Sequence, residues 1–376
     1  MDIILRQADD IFLDKLWARF FPLTGEVKST SVIDLLPSIS RPMSTSPISC
    51  LNSSFSQDQL CQISQLPRDN IVRQTISIFF LIYVGILAMY LILSSFSYHF
   101  LFDHELLNHP KFIRNQVMLE IKSSLKAIGP MDMLSVPWFL AEVRGHSMIY
   151  DNVNEIRGIN ISPILNYLDS WVREDGPDPL KMFIRKFVGN YNHDEFRILG
   201  GWTYLIFSFL LFFAFTDFSI YLVHRWEHHP SVYKHIHKAH HRWVIPTPFA
   251  SYAFHPVDGY LQSVPYHIFV FIIPFHKTLF MICFSLITIW TILIHDSELT
   301  VGSRFEELIN SPTHHTLHHL HFNCNYGQYL TWTDRFFNTY RAPTSHDRSF
   351  LKTATKNSST LLQPLSSSAS LVTNTK

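Results

Sequence analysis

Charge is what this chain has least of. Asp, Glu, Lys and Arg make up only 16% of its 376 residues, against the quarter usual in soluble domains. That deficit excludes an ordinary water-soluble globule. With 47% hydrophobic and 15% aromatic residues, the composition points to a chain solvated largely by lipid. Neither sign of charge prevails: 30 basic residues face 30 acidic ones, which excludes a polyanion, nucleic acid included, as the partner. Cysteine is scarce too. Cys50, Cys61, Cys283 and Cys324 lie far apart with no C-x-x-C, which excludes a disulfide framework or iron–sulfur ligation and leaves free thiols. The chain has neither a G-x-G-x-x-G nucleotide loop nor an H-P-G-G haem segment, so any electrons it uses come from another protein. Its start, "MDIILRQADDIFLDKLWARFF", carries acids where a secretory signal needs a basic flank.

What the chain has instead is long apolar runs. Thr75 to Phe96 is free of charge and matches the ~20 residues that carry a helix across a hydrocarbon core. Trp202 to Val223 is a second such run, interrupted only by Asp217. Leu125 to Val143 is shorter and contains Pro130, Asp132 and Pro137, which leaves a kinked crossing and a shallow dip both open. Leu261 to Ile294 is too long for one crossing and breaks at "PFHK"; it predicts a helical hairpin that leaves and re-enters on one side. The first twenty or so residues pattern as an amphipathic helix lying on the bilayer. Lys111, Arg114, Lys122 and Lys126 point to a cytosolic side for the segment 104–126, although the 144–200 loop is also basic. The predicted architecture is all-α: a polytopic membrane protein of about four transmembrane helices with a helical histidine domain on the cytosolic face. Along the chain this gives an irregular, Ser-rich region (1–70), transmembrane helices (71–145), a polar loop (146–200), a catalytic region with two further spans (201–341) and a disordered tail (342–376).

Histidine is the residue in excess. Of 22 histidines, 16 fall between His224 and His321. They form an H-x3-H pattern, His224 and His228, with His229 adjacent, and two H-x2-H-H patterns. The first of these is His237, His240 and His241; the second is His315, His318 and His319, preceded by His314. At this histidine frequency one H-x2-H-H match arises by chance about 0.07 times, so two are not accidental. Residues three and four apart share a helix face, and each box therefore predicts a ridge of ligands aimed at one point. Eight box histidines exceed the four ligands of a closed zinc site and suit a di-iron centre. His295, at the end of the last apolar run, is a ninth candidate ligand. His229, His255 and His314 are further candidates. Asp217, two helical turns before His224, is placed to accept a ligand's second N–H. Gln262, Asn323, Asn325, Tyr326 and Gln328 are candidates to meet a substrate or an electron donor. A zinc carrier is the non-enzymatic alternative, although transporters set ionisable ligands near mid-bilayer and these boxes flank the runs.

Segments beyond the boxes carry a resemblance. "PWFLAEVRG", "FTDFSIYLVHR", "VYKHIHKAHHRW", "PTPFASYAFHPVDGYLQS", "WTILIHD" and "HHTLHHLHFNCNYGQYLTWTDRF" resemble the fatty acid hydroxylase superfamily and, within it, the fungal sterol C-5 desaturases. The likeness runs from about Phe102 to Arg341. The chain departs from the family pattern at Trp226 and Glu227, where small and apolar residues are usual, and at Cys324 and Thr333. The resemblance implies an endoplasmic-reticulum enzyme that uses O2 and electrons from cytochrome b5, itself reduced by an NAD(P)H-dependent reductase, to desaturate a Δ7-sterol. A sterol C-4 methyl oxidase or lipid hydroxylase would carry the same boxes.

Overall fold

The computed structural model describes residues 1–22, 64–160, 162–173, 197–296, 305–344 and 347. Most of the Ser-rich region, with Cys50 and Cys61, and nearly all of the predicted tail lie outside them. The described residues are mainly helical, as the apolar runs predict. The exceptions are two pairs of two-residue strands, Ile149–Tyr150 parallel to Phe275–His276 and Ile159–Asn160 antiparallel to Arg197–Ile198. Two described helices, Ile71–Phe100 and Gly201–Glu227, are long and apolar enough to cross a membrane. The chain divides into two compact units. The first comprises Met1–His146, Ile220–Ser263 and Ile287–Lys376, the second Ser147–Ser219 and Val264–Leu286.

In the first unit, Asn70 starts the long helix Ile71–Phe100 by accepting the Val72 and Arg73 amides on its side-chain oxygen at 3.0 and 3.1 Å, which satisfies two of the orphan donors at a helix start. Where the sequence left Leu125 to Val143 ambiguous, the structure has one continuous helix, Gln116–Val143, that passes through Pro130 and Pro137. At 1.5 Å per residue these 30- and 28-residue helices are about 45 and 42 Å long. They run antiparallel. At one end the Arg144 guanidinium donates to the Asp69 carbonyl and the Gln74 side-chain oxygen. At the other, the Tyr90 and Ser124 hydroxyls both donate to the Phe249 carbonyl at 3.0 Å, and the Gln116 amide donates to the Ile245 carbonyl at 2.7 Å. That end therefore grips residues 245–249, the loop that follows the second histidine box.

The N-terminal segment is helical from Asp2 to Phe20, with one π-helical turn at Asp9–Leu13. Ile11, Phe12, Leu16 and Phe20 are exposed, and the acidic residues meet Arg68 and Arg73. Arg73 pairs with Asp9 at 2.6 Å and Asp14 at 2.5 Å, and the Trp17 indole donates to the Ser77 hydroxyl at 2.9 Å. Ser97, 20 residues further on, donates to the Asp296 carboxylate beside His295. The N-terminal helix thus docks about 30 Å along the long helix from the histidines.

The second unit holds Gly201–Ser219, the first part of helix Gly201–Glu227, together with the middle of the last apolar run. Phe212 stacks on Phe275 and meets Phe269 edge-on, both with centroids 5.1 Å apart. The predicted break at "PFHK" is present: helix Pro256–Ile272 ends, Phe275–His276 forms a strand, and helix Lys277–Leu293 follows. The outer ends of these two helices belong to the first unit, which carries the histidine boxes. The polar loop contributes an amphipathic helix, Ser162–Arg173.

Candidate metal centre

His224 closes helix Gly201–Glu227 and His228 follows it directly. His237, His240 and His241 sit in a six-residue 3₁₀ helix, His237–Arg242, not in an α-helix as their spacing predicted. His315, His318 and His319 lie on helix Pro312–His321, which Ser311 and His314 start with a reciprocal capping box. The structure gathers nine of the predicted candidates into two clusters. One holds His224, His228, His237, His241 and His318, the other His240, His295, His315 and His319.

A box does not serve a single point, contrary to the simplest reading of its spacing. In each H-x2-H-H box the pair four apart stays together, while the middle histidine, His240 or His318, joins the other cluster. On the α-helix Pro312–His321, residues i+3 and i+4 lie ~100° apart around the axis, so that short helix faces two sites at once.

In four of the nine rings a hydrogen bond fixes which nitrogen points inward. The Nδ1–H groups of His224, His318 and His295 donate to the carbonyls of Tyr326, Cys324 and Thr291 at 2.9, 2.7 and 2.7 Å, and that of His237 donates to the Asp258 carboxylate at 2.8 Å. A carbonyl or carboxylate oxygen can only accept, so the proton sits on Nδ1 and the Nε2 lone pair faces the cluster. The Nε2 atoms stand 3.1–3.2 Å apart, as in His224–His237, His228–His318, His241–His318 and His295–His315. Lone pairs at that separation repel unless a cation lies between them, and neighbouring ligands of a metal bound at about 2.1 Å stand about 3 Å apart. The residues fit two metal ions. Burial, aided by the neighbouring rings, holds His240, His241, His315, His318 and His319 well below the ordinary imidazole value, and burial takes His295 down to about 4. These rings are neutral at pH 7, the form that ligates.

His229, His255 and His314 stand outside both clusters. His229 and His255 are exposed and accept the local Ser231 and Val257 amides, while His314 is committed to its cap with Ser311. Asp217 is buried seven residues before His224, and the outward nitrogen of His224 goes to Tyr326 instead. The residues proposed to meet a substrate or donor are partly engaged within the fold. Gln262 donates to Glu227 and Asp258, and Asn325 donates to the His314 and Arg341 carbonyls.

Sequence reasoning passed over Asp258, three residues beyond His255 in "AFHPVDG", and Asp334 in "TWTDRF". Asp334 accepts the Tyr326 and Gly327 amides at 2.9 and 2.8 Å and the Thr339 hydroxyl at 2.8 Å. It thereby fixes the loop that offers its carbonyl to His224. Gly327 is required there, because a Cβ would lie 2.7 Å from the Leu330 carbonyl oxygen and 2.9 Å from the Asp334 carboxylate. Asp334→Ala should lower metal affinity and activity by about 10- to 100-fold, the usual effect of removing an outer support. Metal titration of the purified variant checks this, and unchanged affinity would remove Asp334 from that role.

Comparison with known proteins places this arrangement. The fatty acid hydroxylase family model matches residues 209–339, the span that contains all nine clustered histidines. A Delta(7)-sterol 5(6)-desaturase of Gibberella zeae is 41% identical over 343 residues, 91% of this chain and 90% of the relative. The chain belongs to the Δ7-sterol 5(6)-desaturase family. Another such enzyme, from Aspergillus fumigatus, is 39% identical over 363 residues, 91% of this chain and 90% of the relative. The lathosterol oxidase of Rattus norvegicus is 39% identical over 300 residues, 79% of this chain and 86% of the relative. No solved structure matches the chain. Membership in this family makes the chain an oxidoreductase and sets aside the zinc carrier.

Proposed function

We propose that the chain is a Δ7-sterol 5(6)-desaturase of the endoplasmic-reticulum membrane that works with two iron ions, one held by His224, His228, His237, His241 and His318 and the other by His240, His295, His315 and His319. The observation that carries this reading is the convergence of unprotonated ring nitrogens into two buried clusters in a chain 41% identical to such an enzyme.

The hydrogens at C5 and C6 of a sterol are not acidic, so side-chain bases alone cannot remove them. Iron bound at these sites supplies the O2 and one-electron chemistry that the side chains lack. The chain's own residues orient and exclude. Backbone carbonyls of Thr291, Cys324 and Tyr326 hold ring tautomers, the two long helices brace the 245–249 loop, and burial of the rings keeps bulk water out. The overall change removes two hydrogens from the sterol and adds two electrons and two protons from outside, so that O2 leaves as two waters. With no haem or flavin motif of its own, the chain draws those electrons from cytochrome b5 and its NAD(P)H-dependent reductase.

In this reading four helices or helical pairs cross the bilayer: Ile71–Phe100, Gln116–Val143, Gly201–Glu227 and the hairpin Pro256–Leu293. The histidines face the cytosol, where the sterol presents its ring from the membrane, and the N-terminal helix docks at the opposite face. Expression in yeast lacking its C-5 desaturase tests the assignment. Restored Δ5,7-sterols are the expected result; their absence, with the protein made and metal-loaded, counts against it.

A further inference from the structure

Behind His237 lies a buried acidic group that, among the described residues, no other ring in either cluster has. The imidazole Nδ1–H donates to Asp258 Oδ2 at 2.8 Å. Asp258 Oδ1 accepts from the Gln262 amide at 2.7 Å, and Gln262, one helical turn further on, also donates to Glu227 Oε2 at 3.0 Å. Glu227 Oε2 is itself 3.9 Å from His237 Nδ1. His237 and Glu227 are 0% exposed and Asp258 is 1% exposed, so water does not screen the pair. Among the described residues the remaining oxygen of Glu227 has no hydrogen-bond partner.

The other fixed rings meet neutral acceptors. His224 and His318, in the same cluster, and His295, in the other, each give their proton to a backbone carbonyl. Asp296, beside His295, accepts the Ser97 hydroxyl, and among the described residues no carboxylate groups with His240, His295, His315 and His319. A charged acceptor makes a stronger hydrogen bond than a neutral one and makes the ring it holds a more basic ligand. The two metal positions therefore differ in the charge behind them as well as in ligand number. Glu227 adds to the difference. It clamps Gln262 over Asp258.

We propose that Asp258, held in place by Gln262 and Glu227, is a positioning residue that makes the two metal sites unequal, so that the five-histidine site grips its ion more tightly than the four-histidine site. This rests on the two-iron reading given above, and the test separates the two. Wild type and Asp258→Asn are purified in detergent and loaded with Mössbauer-active iron. Chelator titration then follows metal content, and Mössbauer spectra follow each iron. The expected wild-type result is two irons of different affinity and two distinct signals. In Asp258→Asn, the tighter iron should become 10- to 100-fold easier to remove, with a change in one signal only. Equal weakening of both irons, or none, overturns the proposal. A wild-type protein that holds no iron overturns the two-iron reading instead. Should Asp258→Asn not fold, Gln262→Leu keeps the carboxylate and releases its clamp; it should loosen the same single iron by a smaller factor, and an unchanged tighter site there equally overturns the proposal.

Discussion

His318→Ala should abolish Δ5,7-sterol formation. His318 is the residue of the third box that crosses to the five-histidine cluster, where its Nε2 stands 3.1 Å from that of His241 and 3.2 Å from that of His228. Its side chain is 0% exposed, so neither water nor a surface residue can take its place. Loss of an outer support costs 10- to 100-fold in metal affinity or activity; loss of a ligand should exceed that range and bring product below about 1% of wild type. Sterol profiles from desaturase-deficient yeast making equal amounts of each protein measure it. His229→Ala and His255→Ala are the informative companions. Both residues are exposed and outside the clusters, so both variants should stay active, and a total loss at either would revise the ligand set.

Arg73→Ala should release the N-terminal helix. The Arg73 guanidinium is 3% exposed and pairs with Asp9, itself 4% exposed, and with Asp14, while also donating to the Leu66 carbonyl. Removing one partner from a buried pair leaves an uncompensated charge, at a cost of about 3–5 kcal/mol. Because Asp9 and Asp14 lie on the N-terminal helix, the relaxed response is undocking of residues 1–22 rather than collapse of the metal centre. Limited proteolysis should cut within residues 1–22 of the variant and spare the wild type, with metal content unchanged. Equal resistance in both would show that Trp17, the Arg68 pairs with Asp10 and Asp14, and the apolar contacts suffice to hold the helix.

Much of the clustering was legible in the sequence because residues four apart share a helix face. His224/His228, His237/His241 and His315/His319 are each four apart, and those pairs do converge. Allocation between clusters was not legible. Spacing places two residues on neighbouring faces of a helix but does not say what each face meets, and so His240 and His318 left their own boxes. The supports were harder still. Tyr326 and Cys324 act through backbone carbonyls, which any residue type offers. In "AFHPVDG" the histidine drew attention because histidine is a ligand type, yet His255 is exposed and Asp258 is the residue that reaches the cluster. The apolar runs marked the long helices well; the second was left open between a kinked crossing and a shallow dip, and the structure has one continuous 28-residue helix through Pro130 and Pro137. A proline costs one amide hydrogen bond in a helix interior, and packing along the rest of Gln116–Val143 outweighs it.

The proposed activity requires two irons held by the clustered imidazoles. Metal analysis of active protein, purified in detergent and assayed with a reduced electron donor, tests it most directly. Two iron atoms per chain are expected, with turnover that rises in proportion to iron occupancy. Full turnover by iron-free protein, or turnover indifferent to iron content, would contradict it.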